Sequence, residues 1–326
     1  LRGAADMHVG MSDIYRERNE LDSAARHLLK SADVGELNGL PKNPYRWRVA
    51  SARHLADRGD IDGALVLLDE AERLYEGDFS PNVRPVAALR ARLWDLAGRA
   101  DEALGWAREQ GLSAGDDLSY LREFEHITLA RLLLSEAGTD ASTSAIAEVI
   151  GLLERLRQAA EEGGRMGSVI EILALQSLAY QFQGDLPAAL SHLERALKLA
   201  EPEGYARIFL DEGAGMAQLI AEAAAQGIMP AYTEKLLAAF AAESQAPAGD
   251  LTQPIPHASS SLMEPLSQRE LEILRLFKTE LSGPEIAQEL VIGLSTVRTH
   301  TKSIYSKLNV NSRRAAVRRA VELGLI

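Results

Sequence analysis

The amino-acid sequence predicts an all-α protein in two parts, a long array of helical hairpins followed by a small four-helix domain. Apolar residues recur at helical spacing, and runs with the strict alternation of a β-strand are almost absent. A pattern of alanine and leucine returns about every 40 residues over most of the chain. A stretch rich in proline and serine then separates this array from a tail with its own helix-start signals.

Each hairpin of the array carries a recognisable nine-residue segment. Segments that start at Leu21, Ile61, Ala100 and Leu186 align without gaps, and a weaker copy surrounds Ala145. Glycines just before them can take the left-handed conformation that ends a helix, and an aspartate in the turn can cap the next one. The array resembles the tetratricopeptide class, whose repeats are usually shorter, roughly 34 residues. The aligned small residues are Ala24, Ala64, Ala103 and Ala189, and the glycines are Gly59, Gly98 and Gly184.

Stacked hairpins curve, and the first helix of each pair is expected to line the resulting concave groove. Such a groove could hold a small effector, a protein partner or another part of a longer chain. Aromatic residues in helical repeats more often pack against the core than bind a ligand, and the sequence leaves open which face is concave. The candidate ligand contacts on the first helices are Tyr45, Arg48, Arg90, Trp94, Gln176 and Tyr180.

A linker is expected to divide the chain into two domains. The array occupies residues 1–242, and the segment from Gly204 onward caps it. Residues 243–262 form the linker, because prolines at three positions would break any helix and no helical period is present. Residues 263–326 form the tail domain.

The tail contains start signals for four helices. Ser267 with Glu270, and Ser282 with Glu285, have the spacing of capping boxes. Ser295 is expected to cap the third helix and Ser312 the fourth, which Gly324 ends. The short turn between the second and third helices predicts a helix-turn-helix layout.

Charge distinguishes the tail from the rest of the chain. The whole protein has a net charge of -12, yet the residues from 262 to 326 carry ten basic and seven acidic side chains. Between Leu290 and Val321 there are seven basic residues and no acidic one. Such a block is typical of a surface that meets a polyanion, although a solvated helix face would look the same.

The third helix of the tail has one apolar and one basic side. Val297, Thr301, Ile304 and Leu308 form a buried stripe, and the opposite side could enter a DNA major groove. We expect Arg298 to reach a base edge, with neighbouring polar residues beside it and more distant basic residues on phosphates. The predicted DNA contacts are Ser295, Thr296, Arg298, Thr299, Lys302, Lys307, Arg313 and Arg314.

The tail closely resembles the C-terminal DNA-binding domain of LuxR-type transcription regulators. The resemblance rests on Leu266-Ser267, Arg269-Glu270, Glu285-Ile286-Ala287, Thr296-Val297, His300, Ile304, Lys307-Leu308 and Leu323-Gly324-Leu325. Pro284 replaces the lysine usual in the family, which removes one phosphate contact that the family would imply. The resemblance implies a homodimer on double-stranded DNA, with the last helix in contact around Val317, Val321 and Leu325. RNA polymerase is a further candidate partner.

The order of repeats, the segment "YARIFLDEGAGM", a linker and this tail resembles the large MalT-like regulators. Those proteins carry an ATP-binding domain before the repeats, and in the maltose regulator the repeat region takes up a small-molecule inducer. The present sequence contains no phosphate-binding loop, since Gly-Lys occurs nowhere. We therefore expect no cofactor in this chain, and ATP only if an N-terminal ATPase domain precedes it.

Composition and motifs leave little room for other classes. The absence of cysteine excludes disulfides and thiolate metal sites, and the seven histidines show no i,i+4 pairing that would favour a metal. No apolar run approaches the roughly 18 residues of a membrane span, and the start lacks the core of a signal peptide, so we expect a cytoplasmic protein. Ser113 lies in a literal G-x-S-x-G, but without the flanking strand of a nucleophile elbow we expect no enzyme. The alternative to a regulator is a repeat scaffold for protein partners that binds DNA only weakly.

Overall fold

A computed structural model describes residues 3–38, 40, 42–75, 82–139, 143–245, 268–279, 281–290, 292–307, 310, 313, 316, 317 and 320. The chain divides into two compact units, Leu1–Ile255 and Pro256–Ile326. Every long regular element of the described residues is an α-helix, as the sequence predicts, and no strand occurs among them. None of the described helices is long and apolar enough to cross a membrane.

The first unit consists of five helical hairpins followed by a three-helix cap. Within each hairpin the two helices pack along each other, and the first helices of most successive hairpins also lie side by side. The hairpins are α1 (Ala4–Glu17) with α2 (Leu21–Asn38), α3 (Asn43–Asp57) with α4 (Ile61–Leu74), α5 (Val86–Leu96) with α6 (Ala100–Glu109), α7 (Glu123–Thr139) with α8 (Thr143–Glu162), and α9 (Met166–Gln183) with α10 (Leu186–Ala200); the cap is α11 (Arg207–Leu210), α12 (Gly213–Ala225) and α13 (Pro230–Gln245).

Local signals set the hairpin turns as predicted. The glycines that end α3, α5 and α9 have φ values of +84°, +71° and +82°, where a side chain would be strained. In the turn before α4, the Asp60 carboxylate accepts the Gly63 N–H at 2.9 Å. Asp185 caps α10 in the same way through the Ala188 N–H at 3.0 Å.

Alanine lets the paired helices approach closely. Ala24, Ala64, Ala103 and Ala189 are all fully buried, which confirms the register of the four strong copies. The fourth hairpin differs by one residue, because Ala145 is exposed and Ile146 takes the buried position. A larger side chain at this position explains why the sequence pattern is weak there.

A cluster of ion pairs joins the two ends of the first unit. Arg16 of α1 donates to both carboxylate oxygens of Asp57, each at 2.7 Å, and to Asp211 at 2.9 Å. Arg207 donates to Asp211 at 2.9 Å and also pairs with Glu243. Nearby, the Ala206 N–H donates to the Glu17 carbonyl at 2.7 Å. We call Arg16, Asp57, Arg207, Asp211 and Glu243 the closing cluster, because it ties the first two hairpins to the cap.

The second unit contains α14 (Gln268–Leu276), α15 (Gly283–Glu289) and α16 (Leu294–Lys307). Its core contains Ile273, Leu274, Ile286, Val297 and Ile304, all buried. Residues 313, 316, 317 and 320 are also helical, which fits the start of the predicted fourth helix, while the residues between and after them lie outside the described part.

The predicted capping signals of the tail can be checked in part. The Ser282 N–H and hydroxyl both donate to the Glu285 carboxylate, at 2.7 and 2.6 Å, in a capping box. Helix α16 begins at Leu294, so Ser295 lies in its first turn and the prediction that it caps this helix is wrong. Ser267, Ser312 and Gly324 lie outside the described residues. Helix α13 runs to Gln245, so the first three residues of the predicted linker are helical, and residues 246–267 lie outside the described part.

Candidate nucleic-acid interface and repeat cavity

Helix α16 has the two sides that its sequence predicts. Val297 and Ile304 are buried against α14 and α15, and the Thr301 hydroxyl donates to the Val297 carbonyl at 2.8 Å. Thr296 and Lys302 are exposed on the other side. The turn that positions α16 is fixed by the Ile292 N–H, which donates to the Ala287 carbonyl at 2.9 Å, and by the Val297 N–H on Gly293. The result is a helix-turn-helix with a polar outer face.

A buried glutamate anchors the inner side of α16. Glu270 of α14 accepts the Ser303 hydroxyl at 2.6 Å and the Lys307 ammonium at 3.0 Å. Both donors come from α16, one turn apart, so the carboxylate fixes the rotation of that helix relative to α14. Sequence analysis missed this contact because it assigned Glu270 only to a capping box.

Arg313 lies at the end of α14. Its guanidinium donates to the carbonyls of Leu276, Phe277 and Thr279 at 2.9, 3.0 and 2.7 Å, and also to that of Leu281. It also lies over the Phe277 ring, 5.3 Å from the centroid. The carbonyl end of a helix favours a cation, so Arg313 stabilises this end of α14.

The first unit contains an open cavity of about 2220 Å³. Its wall is formed by the first helices of the five hairpins together with the cap. Arg53, Arg92 and Arg131 occupy equivalent positions on α3, α5 and α7, 39 residues apart, and Glu171 follows on α9. The concave surface therefore carries a row of charged side chains, one from each successive hairpin.

Three residues of this row, Arg92, Arg131 and Glu171, form a second group of ion pairs together with Glu212 of the same wall. We call these four residues the central cluster. Glu171 Oε1 accepts Arg92 Nη1 at 2.7 Å and Arg131 Nη2 at 2.9 Å. Arg131 Nη1 also pairs with Glu212, just before α12. Arg92 Nε instead donates to the hydroxyl of Thr128 at 2.8 Å.

The pKa values in the central cluster reflect the sharing of Glu171 by two arginines. Burial disfavours ionisation of Glu171, but Arg92 and Arg131 together lower its pKa to about 2. At Arg92 burial is the larger effect and lowers the pKa to about 10, since this arginine shares its carboxylate with Arg131. Burial also raises the pKa of Glu212, despite its contact with Arg131.

Comparison with known protein families accounts for most of the chain. Residues 1–226 match the family model described as MalT-like TPR region, and residues 264–320 match that of bacterial regulatory proteins, luxR family. The chain belongs to the MalT-like LuxR regulators. The match assigns the helix-turn-helix of the second unit to a LuxR-type DNA-binding domain, and it confirms the resemblance seen in the sequence.

The predicted DNA contacts fall into three groups. Thr296 and Lys302 are exposed on α16, whereas the side chains of Ser295, Arg298 and Thr299, and the whole of Arg314, lie outside the described residues. Lys307 and Arg313 make the intradomain contacts given above. Their role at phosphates, like the other DNA contacts, stays a prediction.

Of the six predicted ligand contacts, Tyr45 lines the cavity, and the other five are not among the residues of its wall. Arg48 pairs with Glu70 at 2.8 Å, and Arg90 pairs with Asp69 and Glu72. The remaining three also contact the chain itself: Trp94 lies under Arg90, Gln176 donates to Glu154 at 3.1 Å, and Tyr180 stacks on His192 at 4.8 Å.

Sequence reasoning missed the arginine row of the cavity. The signal was present, because an arginine recurs every 39 residues on three first helices, but only the three-dimensional curvature shows that this side faces inward.

The geometry supports neither a catalytic role for Ser113 nor a metal site among the described residues. Ser113 lies between α6 and α7, where its hydroxyl accepts the Gly115 N–H at 3.0 Å, so the local backbone is a turn rather than a strand end. Among the described residues no group of three His, Asp or Glu side chains is placed to hold a metal ion.

Proposed function

We propose that this regulator binds operator DNA through the outer face of α16 and that its repeat array senses a small effector. The single observation that carries the DNA part is the sidedness of α16, with Val297 and Ile304 buried and Thr296 and Lys302 exposed. The surrounding sequence from Leu290 to Val321 supplies seven basic residues and no acidic one. A carboxylate on this face would meet phosphates at short range, so its absence favours a DNA-facing role.

The same proposal includes a dimer on DNA. A single module of this size buries about 600–1,000 Å² against DNA, which is small for tight specific binding. The candidate contact is the last helix, with Val317, Val321 and Leu325. Val317 packs in part against the tail's own core, and the other two lie outside the described residues. RNA polymerase remains a proposed further partner.

The DNA proposal is tested on sequences selected by the wild-type chain from random duplex DNA. Arg298→Ala should cost about 1–3 kcal/mol in binding free energy and relax the preference at one base pair, as expected when a base contact is lost. Arg275→Ala, an exposed arginine of α14, is the control and should leave the preference unchanged. Filter binding measures both; equal affinities for Arg298→Ala and wild type would contradict the assigned face.

A second candidate function, a scaffold for a polypeptide partner, is favoured by the size of the cavity. At about 2220 Å³ it exceeds the 300–1,000 Å³ typical of small-ligand pockets. Titration of the chain with metabolites on one side and with a separately prepared ATPase domain on the other distinguishes the two. Binding of the domain without binding of any metabolite would favour the scaffold.

A further inference from the structure

The two arginines of the central cluster differ in the number of carboxylates that they contact. Both donate to the same oxygen of Glu171, but Arg131 has Glu212 as a second carboxylate. Among the described residues Arg92 has only a neutral hydroxyl in addition, and its guanidinium lies over the Phe124 ring, 4.1 Å from the centroid. An aromatic face attracts a cation more weakly than a carboxylate does. Arg92 is therefore the less compensated of the two charges.

Hydrogen-bond donors remain unused at the same place. Arg92 Nη2 and Arg131 Nε are buried and have no hydrogen-bond partner among the described residues. Leaving a buried donor without a partner is destabilising, and more so when it belongs to a charged group. The low pKa of Arg92 agrees with an incompletely compensated charge. Both arginines belong to the cavity wall.

We propose that the cavity binds a small effector through an anionic group, a carboxylate or phosphate, held by Arg92 and Arg131. The inference rests on the proposed sensing function of the array and names the chemistry of its ligand. The planar guanidinium groups offer paired N–H donors that match either anion. Leu96, an exposed apolar residue of the same wall one turn after Arg92, would contact an apolar part of the ligand.

Glu171 is the group with which this anion competes. Because the two unused donors are buried, the ligand reaches them when the guanidinium groups turn toward the cavity and away from Glu171. Arg131 also holds Glu212 of the cap, so the same movement weakens the contact between the fourth hairpin and the cap. A ligand that prefers one arrangement of these pairs shifts the equilibrium between them.

The test uses the full 326-residue chain and defined probes at constant ionic strength. Succinate and inorganic phosphate are the anions, and succinamide and trehalose are the neutral controls; isothermal titration gives affinities, and tryptophan fluorescence gives the unfolding temperature. At least one anion should bind and raise this temperature, while the neutral probes should not. Whether succinate or phosphate binds more tightly identifies the anionic group.

Three variants make the test specific. Arg92→Gln should weaken anion binding at least tenfold, and Glu171→Gln should strengthen it severalfold because the internal competitor is gone. Arg157→Gln is the matched control: its side chain is 17% exposed, against 18% for Arg92, and it pairs with two glutamates away from the cavity. It should bind the anion within twofold of wild type.

Several results would overturn the inference: no binding of either anion, equal binding of a neutral probe, or Arg92→Gln and Glu171→Gln both binding like wild type. If Arg92→Gln does not fold, two other variants decide the matter. These are Glu171→Gln and Arg92→Lys, which keeps the charge but loses the paired donors.

DNA binding by the wild-type chain is measured in parallel. Intact DNA binding without anion binding overturns this inference alone, whereas absence of both contradicts the proposed function as well.

Discussion

The repeat array and the tail both use a buried glutamate to hold helices together, but with different partners. In the tail, Glu270 takes Ser303 and Lys307 from one helix, so it fixes the orientation of α16. In the array, Glu171 takes Arg92 and Arg131 from two successive hairpins and leaves two guanidinium donors unused. A carboxylate that takes donors from successive turns of one helix gives a rigid anchor, whereas a carboxylate shared by cations of two hairpins gives a site that a competing anion can rearrange.

The closing cluster represents a third arrangement, in which carboxylates outnumber arginines. Arg16 and Arg207 face Asp57, Asp211 and Glu243, and burial disfavours ionisation of Asp211 although the two arginines hold its pKa well below the usual value. Here every arginine has at least two carboxylate partners. We therefore expect this cluster to be structural and the central cluster to be responsive.

The largest effect is expected from Arg16→Gln. It removes the bidentate contact with Asp57, whose side chain is 2% exposed, and leaves that carboxylate without its main cation. Breaking a buried ion pair costs about 3–5 kcal/mol. Urea unfolding followed by tryptophan fluorescence reports the array specifically, because Trp47, Trp94 and Trp106 all lie in it.

The control for Arg16→Gln is Arg195→Gln, since the Arg195 side chain is 51% exposed and pairs with Glu161, which is 29% exposed. Such a pair contributes about 0–1 kcal/mol. Small-angle scattering should also show a larger radius of gyration for Arg16→Gln, because the two ends of the array are no longer tied. Equal stability of the two variants would contradict a structural role for the closing cluster.

A somewhat smaller loss of stability is expected when acid protonates Glu171. The pKa of Glu171 is about 2 in the folded array and near 4.5 in an unfolded chain, so its contribution is complete above about pH 4.5 and is lost as the pH falls toward 2. The difference corresponds to about 3 kcal/mol, as an order of magnitude. Glu171→Gln should be less stable than wild type at pH 6, and the gap should narrow toward pH 3. A gap that stays constant with pH would show that the charge on Glu171 is not what stabilises the array.

The tail comparison predicts a moderate effect for Lys307→Ala. The substitution leaves Glu270 with the Ser303 hydroxyl but without the ammonium, and a hydrogen bond to a charged group contributes about 1.5–3 kcal/mol. Hydrogen exchange in α14 and α16 should therefore become faster. Lys302→Ala, on the exposed side of α16, should leave exchange unchanged and reduce the salt dependence of DNA binding by about one unit. If Lys307→Ala instead changed the salt dependence alone, Lys307 would be a phosphate contact as the sequence predicts.

Local patterns in the sequence were sufficient to predict the hairpins, but not the contacts of Arg313 in the tail or of Glu171 in the central cluster. The Ala64 register, the left-handed turn at Gly59 and the Asp60 cap follow from residues within one turn of each other. The partners of Arg313 lie 32 to 37 residues away, and Glu171 lies 79 residues from Arg92, so no local pattern identifies them. For the same reason the inward face of the array could not be assigned before the curvature of the hairpins was known.

The smallest losses of stability are expected at the helix caps, which have the same role in the array and in the tail. Asp60→Ala removes the acceptor for the Gly63 N–H at the start of α4, and Ser282→Ala removes the hydroxyl that donates to Glu285 at the start of α15. Loss of such a cap costs about 0.5–2 kcal/mol wherever it lies. Tryptophan fluorescence measures the first change and hydrogen exchange in α15 the second. We expect the two cap variants to lose similar stability, while Arg16→Gln and Lys307→Ala lose different amounts. That result would show that the two regions differ in their buried charges rather than in their helix ends. Cap variants whose losses differ by several kcal/mol would contradict this conclusion.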